Sequence, residues 1–290
     1  MRNFLLLLAA ILPLTACAGS AYRLPEVSNA DIQAMQSKIA ENKAPLKTYE
    51  RSDSKYKATL ASITKRLTKK ATPLCEYAGY ESCYFETTYD SGDTINAYAS
   101  QGYKITIYKG LLQYLKNEDE MAAVVAHEMG HHLANHNQET EQNAAAGAAI
   151  SGILTAVLLG AANANNPYYS SYQQQQDQQT LQDMMQAGAQ IGMRSYSKEQ
   201  EREADLLATY LLSRAGYNLK RAQNIMLVLS ETSGEAAINS SAFLDTHPAG
   251  IERMVAWEKA IDEIKGNPSK LPYLKEDFQR NPKRAEKKQK

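Results

Sequence analysis

The stretch Val124-Val125-Ala126-His127-Glu128-Met129-Gly130-His131-His132-Leu133 decides the fold, because it contains the pattern HExxH inside an apolar, proline-free frame. On an α-helix, residues four positions apart lie about 40° from each other. The imidazoles of His127 and His131 can therefore reach one metal ion, with Glu128 beside it. Zinc in such a site lowers the pKa of its bound water to about 7, and the adjacent glutamate can take the proton. The stretch predicts hydrolysis of a peptide bond.

HExxH alone is moderate evidence for a metal site, because three fixed residues in five arise by chance in about 1% of chains of this length. The flanking residues show whether the motif lies on a helix. Asn117 can cap a helix here and Glu120 takes its third position, which is close to a capping box. An apolar stripe then follows at helical spacing: Met121, Val124, Val125 and Leu133. His132 and His136 lie around the helix from His127, so we interpret both as surface or packing histidines rather than metal ligands.

A catalytic zinc needs a third protein ligand. The extended pattern HExxHxxGxxH is excluded, because Ala134 and Asn137 stand where it requires glycine and histidine. The third ligand must therefore lie farther along the chain.

A second helix offers the candidates. The residues Ser197-Lys198-Glu199-Gln200 are typical of a capping box, and Gly216 ends the apolar pattern that follows. Glu201 and Asp205 share one face of its first turn, so one of them can bind zinc while the other orients a histidine ligand. Glu203 lies on another face, and we expect it to be exposed to solvent.

Five segments, in order, resemble the HtpX and CAAX-prenyl-protease type of zinc metallopeptidase, peptidase family forty-eight. They are Asn96-Ala97-Tyr98-Ala99, the strand Ile105–Tyr108 with Gly110-Leu111-Leu112, HExxH, ExxAD at 201–205, and His247-Pro248 followed by Arg253. The resemblance is closest to the small periplasmic lipoprotein members. It implies one Zn²⁺ per chain, Glu201 as third ligand, Glu128 as base, and Asp205 and His247 as active-site neighbours.

The role of His247 stays open among three alternatives. A histidine at a helix start has a lowered proton affinity and is neutral near pH 7. It can then donate to a developing oxyanion or bind zinc as a fourth ligand. The third alternative is a simple cap before Pro248, and the resemblance favours an active-site role.

The N-terminal sequence predicts where in the cell the protein is located. Arg2, the apolar run 4–12 and Leu14-Thr15-Ala16-Cys17 form a signal peptide over 1–16 with a lipobox, which makes Cys17 the lipidated residue. An ordinary signal peptide is the alternative. Ala18 after the cysteine favours the periplasmic face of the outer membrane. In that oxidising compartment the remaining pair, Cys75 and Cys83, is expected to form a disulfide rather than half of a zinc site.

Composition predicts one globular enzyme domain: 43% hydrophobic, 22% charged and formally neutral, with no reason to expect a nucleic-acid partner. We expect a linker and helix over 17–50, the zinc metallopeptidase domain over 51–270, and a basic, disordered tail over 271–290 that is a solvated terminus rather than a membrane contact. The apolar segment 144–162 is long enough to cross a membrane, yet one crossing would separate His127 from Glu201. It is better interpreted as a helix packed on the protein or dipping against membrane. Residues 163–182, rich in Gln and Asn, are predicted to form a mobile loop over the cleft.

The predicted fold class is α+β, mostly helical: a zincin-like domain with a small antiparallel sheet on the HExxH helix. Helices are expected near 28–42 and 54–70, strands near 83–89, 95–99 and 104–108, and an all-helical C-terminal half. If the last strand is a sheet edge, an extended substrate can add to it. Two functions fit. One is a zinc endopeptidase for misfolded or unassembled cell-envelope proteins; the other is a periplasmic chaperone or assembly factor for outer-membrane proteins whose zinc site is held latent.

Overall fold

The computed structural model describes residues 20–41, 47–80, 83–164, 166–192, 196–228, 247 and 250–276. The predicted signal peptide, the predicted lipidation site Cys17, the residue Pro248 and most of the basic tail lie outside these residues. The domain limits drawn from the sequence therefore stay predictions.

The chain order of helices and strands confirms a mostly helical α+β protein. Helices α1 (Asn29–Glu41) and α2 (Asp53–Tyr77) precede strands β1 (Glu86–Asp90), β2 (Ala97–Ser100) and β3 (Lys104–Tyr108). A short helix α3 (Lys109–Leu112), the HExxH helix α4 (Glu118–Leu133), α5 (His136–Asn163) and α6 (Ser171–Gly192) follow. The last helices are α7 (Lys198–Arg214), α8 (Leu219–Ala222) and α9 (Ile251–Ile264). Helix α2 continues past its predicted end at Lys70.

Helix α4 begins where the sequence predicted. The side chain of Asn117 accepts a hydrogen bond from the backbone N–H of Glu120 at 3.1 Å, and the Glu120 carboxylate accepts from the Asn117 amide and from the backbone N–H of Lys116. From Asp119 to Leu133 every residue is buried. The helix is therefore enclosed on all sides rather than along one apolar stripe.

The sheet differs from the antiparallel sheet that was expected. Its order is β1-β3-β2; β1 runs parallel to β3 and β2 runs antiparallel to it. The tight turn at Gly102 (φ +74°) lets β2 pair with one side of β3, and β1 pairs with the other side. The condition for substrate addition at 104–108, an edge position, is not met, because β3 is the central strand. The strand that contacts α4 most and also lies at an edge is β2.

The expectation of a loop over 163–182 is wrong from Ser171 onward, where α6 begins. Gln173 and Ser170 form reciprocal bonds at the helix start: the Ser170 hydroxyl accepts from the Gln173 N–H, and the Gln173 side chain accepts from the Ser170 N–H. Glutamine is a good helix former. The segment lacks a hydrophobic period because this helix does not enter the core.

Two further contacts hold the domain together. The predicted disulfide between Cys75 and Cys83 is formed, with Cα atoms 6.0 Å apart, and it closes the end of α2 onto the segment before β1. The N-terminal segment also pairs with the chain after α9: Tyr22 forms a β-bridge with Leu274, and the Arg23 N–H donates to the Tyr273 carbonyl. Residues at both ends of the described chain are thereby fixed to one core.

Candidate metal centre

Close packing of α4 on α7 brings the two motifs together. A Cβ on Gly130, inside HExxH, would lie 2.5 Å from the carbonyl oxygen and 2.9 Å from the Cα of Ala204. Only glycine at this position lets the helices approach so closely. Because Ala204 lies inside the ExxAD motif, this contact sets Glu201 beside the two histidines.

Three side chains from these helices converge on one point. The Nε2 atoms of His127 and His131 lie 3.1 Å apart, and each lies 3.4 Å from a carboxylate oxygen of Glu201. All three residues are buried. Zinc bonds of about 2.0–2.2 Å in a tetrahedron place neighbouring ligand atoms about 3.3–3.6 Å apart. The donor types and their spacing therefore fit a zinc ion.

His247 joins the cluster as a possible fourth ligand. Its Nδ1 lies 2.9 Å from Glu201 Oε1 and 3.3 Å from His127 Nε2, so that four ligand atoms lie within 4.8 Å of one another. Its Nε2 lies 3.6 Å from a Glu128 carboxylate oxygen. His247 is fully buried and so sits between the third candidate ligand and the candidate base.

Asp205 and Arg253 surround His127 and Glu201. The Oδ1 of Asp205 lies 2.9 Å from His127 Nδ1, which leaves Nε2 free to face the metal position. Arg253 donates from Nε and Nη2 to the two oxygens of Asp205, and its Nη1 lies 2.6 Å from Glu201 Oε2. One buried guanidinium therefore compensates two buried carboxylates.

A second chain of contacts holds His131. Its Nδ1 lies 2.9 Å from the Nδ1 of His136, and the Nε2 of His136 lies 3.0 Å from a carboxylate oxygen of Glu203. The other Glu203 oxygen accepts from the backbone N–H of Tyr22 at 3.0 Å. With Nε2 of His131 kept for the metal, the consistent arrangement has His131 donating to His136 and His136 donating to Glu203.

These contacts correct the sequence interpretation of Glu203 and refine that of two histidines. Glu203 is 2% exposed, so the expectation of a solvated side chain is wrong. His132 is a packing residue, as expected; its Nε2 lies 3.2 Å from the Lys104 carbonyl. His136 is not part of the metal cluster, also as expected, but it touches a candidate ligand directly.

Tyr196 is a further residue that the sequence did not indicate. Its ring stacks on His131 with centroids 3.7 Å apart and planes 19° apart. Its hydroxyl donates to the Asn137 side chain at 2.6 Å. Burial raises the pKa of Tyr196, and the carboxylates of Glu128 and Glu201 raise it further. The ring therefore closes one side of the cluster as a neutral group.

Burial and the nearby charged groups, Arg253 among them, shift the pKa values of the side chains in the site. Burial raises the pKa of Glu128, which makes it a stronger base than an exposed glutamate. Burial opposes ionisation of Glu201 as well, but Arg253 holds the pKa of that carboxyl well below its usual range. Burial also keeps His131 neutral by lowering its pKa, whereas for His127 the Glu201 carboxylate overcomes burial and raises the pKa to about 10. Zinc must compete with that proton, because it binds neutral imidazole.

Residues 60–261 match the model of peptidase family M48. The chain belongs to peptidase family M48. The prediction of a metallopeptidase of the hydrolase class is thereby confirmed, and the M48 assignment agrees with the helical fold and with the His-His-Glu-His cluster. Family M48 metalloproteases are zinc-dependent.

Curated relatives are similar over about 60% of the chain. The beta-barrel assembly-enhancing protease of Yersinia pestis is 29% identical over 183 residues, which are 62% of this chain and 35% of that protein. The mitochondrial metalloendopeptidase OMA1 of Arabidopsis thaliana is 28% identical over 172 residues, 58% of this chain and 30% of that protein. OMA1 of Schizosaccharomyces pombe is 28% identical over 170 residues, 59% of this chain and 44% of that protein. The chain therefore spans less than half the length of these relatives.

Proposed function

We propose that this M48 protein is a zinc-dependent endopeptidase that cleaves misfolded or unassembled proteins of the cell envelope. The observation that carries the proposal is the spacing of four ligand atoms from His127, His131, Glu201 and His247, with the buried Glu128 carboxylate next to them. The proposed resident ion is one Zn²⁺ per chain, held by His127, His131 and Glu201.

Glu128, Asp205 and Tyr196 each have a distinct part in the proposed reaction. When bound, zinc supplies Lewis-acid polarisation of a carbonyl and acidification of water. Glu128 takes the proton from the attacking water and delivers it to the leaving amine, and its raised pKa suits both steps. Asp205 holds the His127 ring so that Nε2 faces the metal position. The Tyr196 ring keeps water away from one side of His131.

The proposed substrate binds as an added strand. Strand β2 has one side paired with β3, and it is an edge of the sheet within the described residues. It packs on α4, and the backbone of Ala99 approaches the Glu128 carboxylate. A peptide that pairs with this edge through backbone hydrogen bonds brings its carbonyls to the site with little dependence on side chains. This mode favours unfolded segments over folded proteins.

The envelope location rests on two supports. The N-terminal 16 residues and Cys17 have the pattern of a lipoprotein signal, and a beta-barrel assembly-enhancing protease is among the relatives. We place the protein on the periplasmic face of the outer membrane, anchored by lipid at Cys17, as a small lipoprotein member of the HtpX and CAAX-prenyl-protease type. Its proposed partners are unfolded or misassembled envelope proteins.

The position of His247 favours a second candidate, a chaperone or assembly factor with a latent zinc site. A fourth protein ligand fills the position where water would bind. We propose that His247 acts as a removable latch of this kind rather than as an oxyanion donor or a helix cap. A latch predicts that His247→Ala raises turnover at matched zinc occupancy; an oxyanion donor predicts a loss of about a hundredfold.

Metal analysis and digestion of unfolded casein test the proposed enzyme together. We expect alanine variants of His127, His131 and Glu201 to lose zinc, and Glu128→Gln to keep zinc while losing turnover by about 10²–10⁴-fold. Glu199→Ala, an exposed change on α7, is the matched control. Normal zinc content in Glu201→Ala would remove it from the ligand set. Cleavage unaffected by Glu128→Gln would remove the proposed chemistry, and client holding without any cleavage would favour the chaperone.

A further inference from the structure

Helix α5 presents an apolar face that the described protein leaves uncovered. The large side chains Ile150, Ile153, Leu154, Val157 and Leu158 are 43–70% exposed and recur at the spacing of one helix face. Within the described residues, α5 is also the helix that is long and apolar enough to cross a membrane, with a mean hydropathy of 1.9 over its most apolar window. Only 11% of that window is buried, so α5 is not a core helix.

The opposite face of α5 is occupied by α6. A Cβ on Gly152 would lie 2.9 Å from Met185, and a Cβ on Gly188 would lie 2.3 Å from the carbonyl oxygen of Gly147. These close contacts join α5 and α6 into a hairpin, the α5–α6 hairpin (136–192). Its exposed α5 side is apolar, and the first half of α6 is rich in exposed glutamine.

Charge and aromatic residues in the hairpin distinguish possible occupants of the apolar face. The stretch 142–176 contains no Asp, Glu, Lys, Arg or His. In the turn between the helices Tyr168 and Tyr169 are 86% and 40% exposed, and in the first turn of α6 Tyr172 is 68% exposed. A protein interface has a polar rim around its apolar core, whereas an apolar surface that meets a bilayer is commonly bordered by Tyr or Trp at the headgroup level.

We propose that the exposed α5 face of the hairpin lies in the interface of a lipid bilayer, with α6 between it and water. Amphipathic helices in this position bury their apolar side about 5–10 Å into the headgroup and acyl boundary. The glutamine-rich α6 argues against spanning, because the polar half of the hairpin would have to enter the hydrocarbon. The contact goes beyond the proposed peptidase activity and orients the catalytic domain on the membrane.

Tryptophan fluorescence in vesicles of dibrominated phosphatidylcholine tests the contact. The chain has one tryptophan, Trp257, which is 1% exposed and gives a constant background. We expect the full chain carrying Leu158→Trp to lose about half of its added fluorescence to the brominated lipid, since the side chain enters the acyl boundary. The matched variant Gln178→Trp, on the exposed part of α6, should keep its fluorescence.

A charge variant separates lipid contact from misfolding. Adding Leu154→Glu to Leu158→Trp should abolish the quenching, while Gln175→Glu added to the same background should not. Casein cleavage in detergent should be the same in all of these variants, since none lies in the metal centre. Equal quenching of Leu158→Trp and Gln178→Trp overturns the proposal. A second result would also overturn it: the fluorescence of Leu158→Trp is protected from aqueous iodide but is not quenched by the brominated lipid. That result would identify a protein as the occupant.

Discussion

Replacing Glu203 with alanine tests whether the His131–His136–Glu203 contacts position a zinc ligand. The substitution removes the acceptor for two buried donors, the His136 Nε2–H and the Tyr22 backbone N–H, each 3.0 Å from the carboxylate. A buried donor without a partner costs about 1–3 kcal/mol, so the free energy of unfolding should fall by about 2–6 kcal/mol.

Zinc affinity is the more specific measurement. His136 fixes the ring of His131 through its Nδ1, and loss of such a contact typically weakens metal binding by about 10–100-fold. Competition between the purified protein and a fluorescent zinc chelator measures this change. Unfolding in urea at saturating zinc measures the stability change separately.

Two further variants make the result interpretable. Glu203→Gln retains one acceptor oxygen, so we expect it to recover a large part of the zinc affinity. Glu199→Ala, an exposed change in the same first turn of α7, should match the unsubstituted protein in both assays. The positioning role is refuted if Glu203→Ala binds zinc with unchanged affinity, which is the outcome that an exposed Glu203 would give.

The other predictions concern charge, the disulfide and the anchor. In the metal-free protein Arg253→Met leaves the buried carboxylates of Glu201 and Asp205 without their guanidinium partner, so the free energy of unfolding should fall by about 3–5 kcal/mol in urea titration. A loss below about 1 kcal/mol would contradict the charge argument. Replacing both Cys75 and Cys83 with serine should cost about 2.5 kcal/mol, because the bridged residues are 8 apart in sequence. Zinc content should not change. Cys17→Ser should leave an unlipidated protein, and cell fractionation that still finds it with the outer membrane would place the anchor elsewhere.

The candidate site could largely be predicted because its spacing is local. His127 and His131 are four residues apart on one helix, as are Glu201 and Asp205 on another, and helical geometry alone brings each pair to one face. The contact between the two helices was implied by the resemblance to family forty-eight. Its physical basis, the approach of Gly130 to Ala204, depends on two segments 74 positions apart in sequence and so has no local signal.

Glu203 shows where helical periodicity fails. Two residues from Glu201, it does point to another side of α7, as the sequence indicated. That side is nevertheless buried, because the N-terminal segment at Tyr22 covers it. The distance in sequence between these two residues is 181, and only the tertiary fold reveals their contact. A buried charge of this kind follows from which segments pack together and not from residue type.

The sheet topology and helix α6 differ from the sequence-based predictions for different physical reasons. The strand positions were predicted closely, since alternation and turn residues are local, but strand order depends on which edge each strand fills. In the structure, α6 begins with the reciprocal Ser170–Gln173 capping contacts. The prediction of a loop rested on the absence of a hydrophobic period, but a helix that packs mainly on one neighbour needs no continuous apolar stripe.

The first residue of the α5–α6 hairpin and a residue four positions beyond its last one contact the same candidate ligand. His136, the first residue of α5, bonds His131 Nδ1, and Tyr196, just beyond α6, stacks on the His131 ring. A partner that shifts α5 can therefore act on His131 through its contact with His136. Because coupling between two binding events is reciprocal, we expect bilayer contact at Leu158 and zinc affinity at His131 to change together. Zinc titration of the lipid-anchored protein with and without Leu154→Glu measures that coupling, and identical affinities would show that the hairpin and the metal centre are independent.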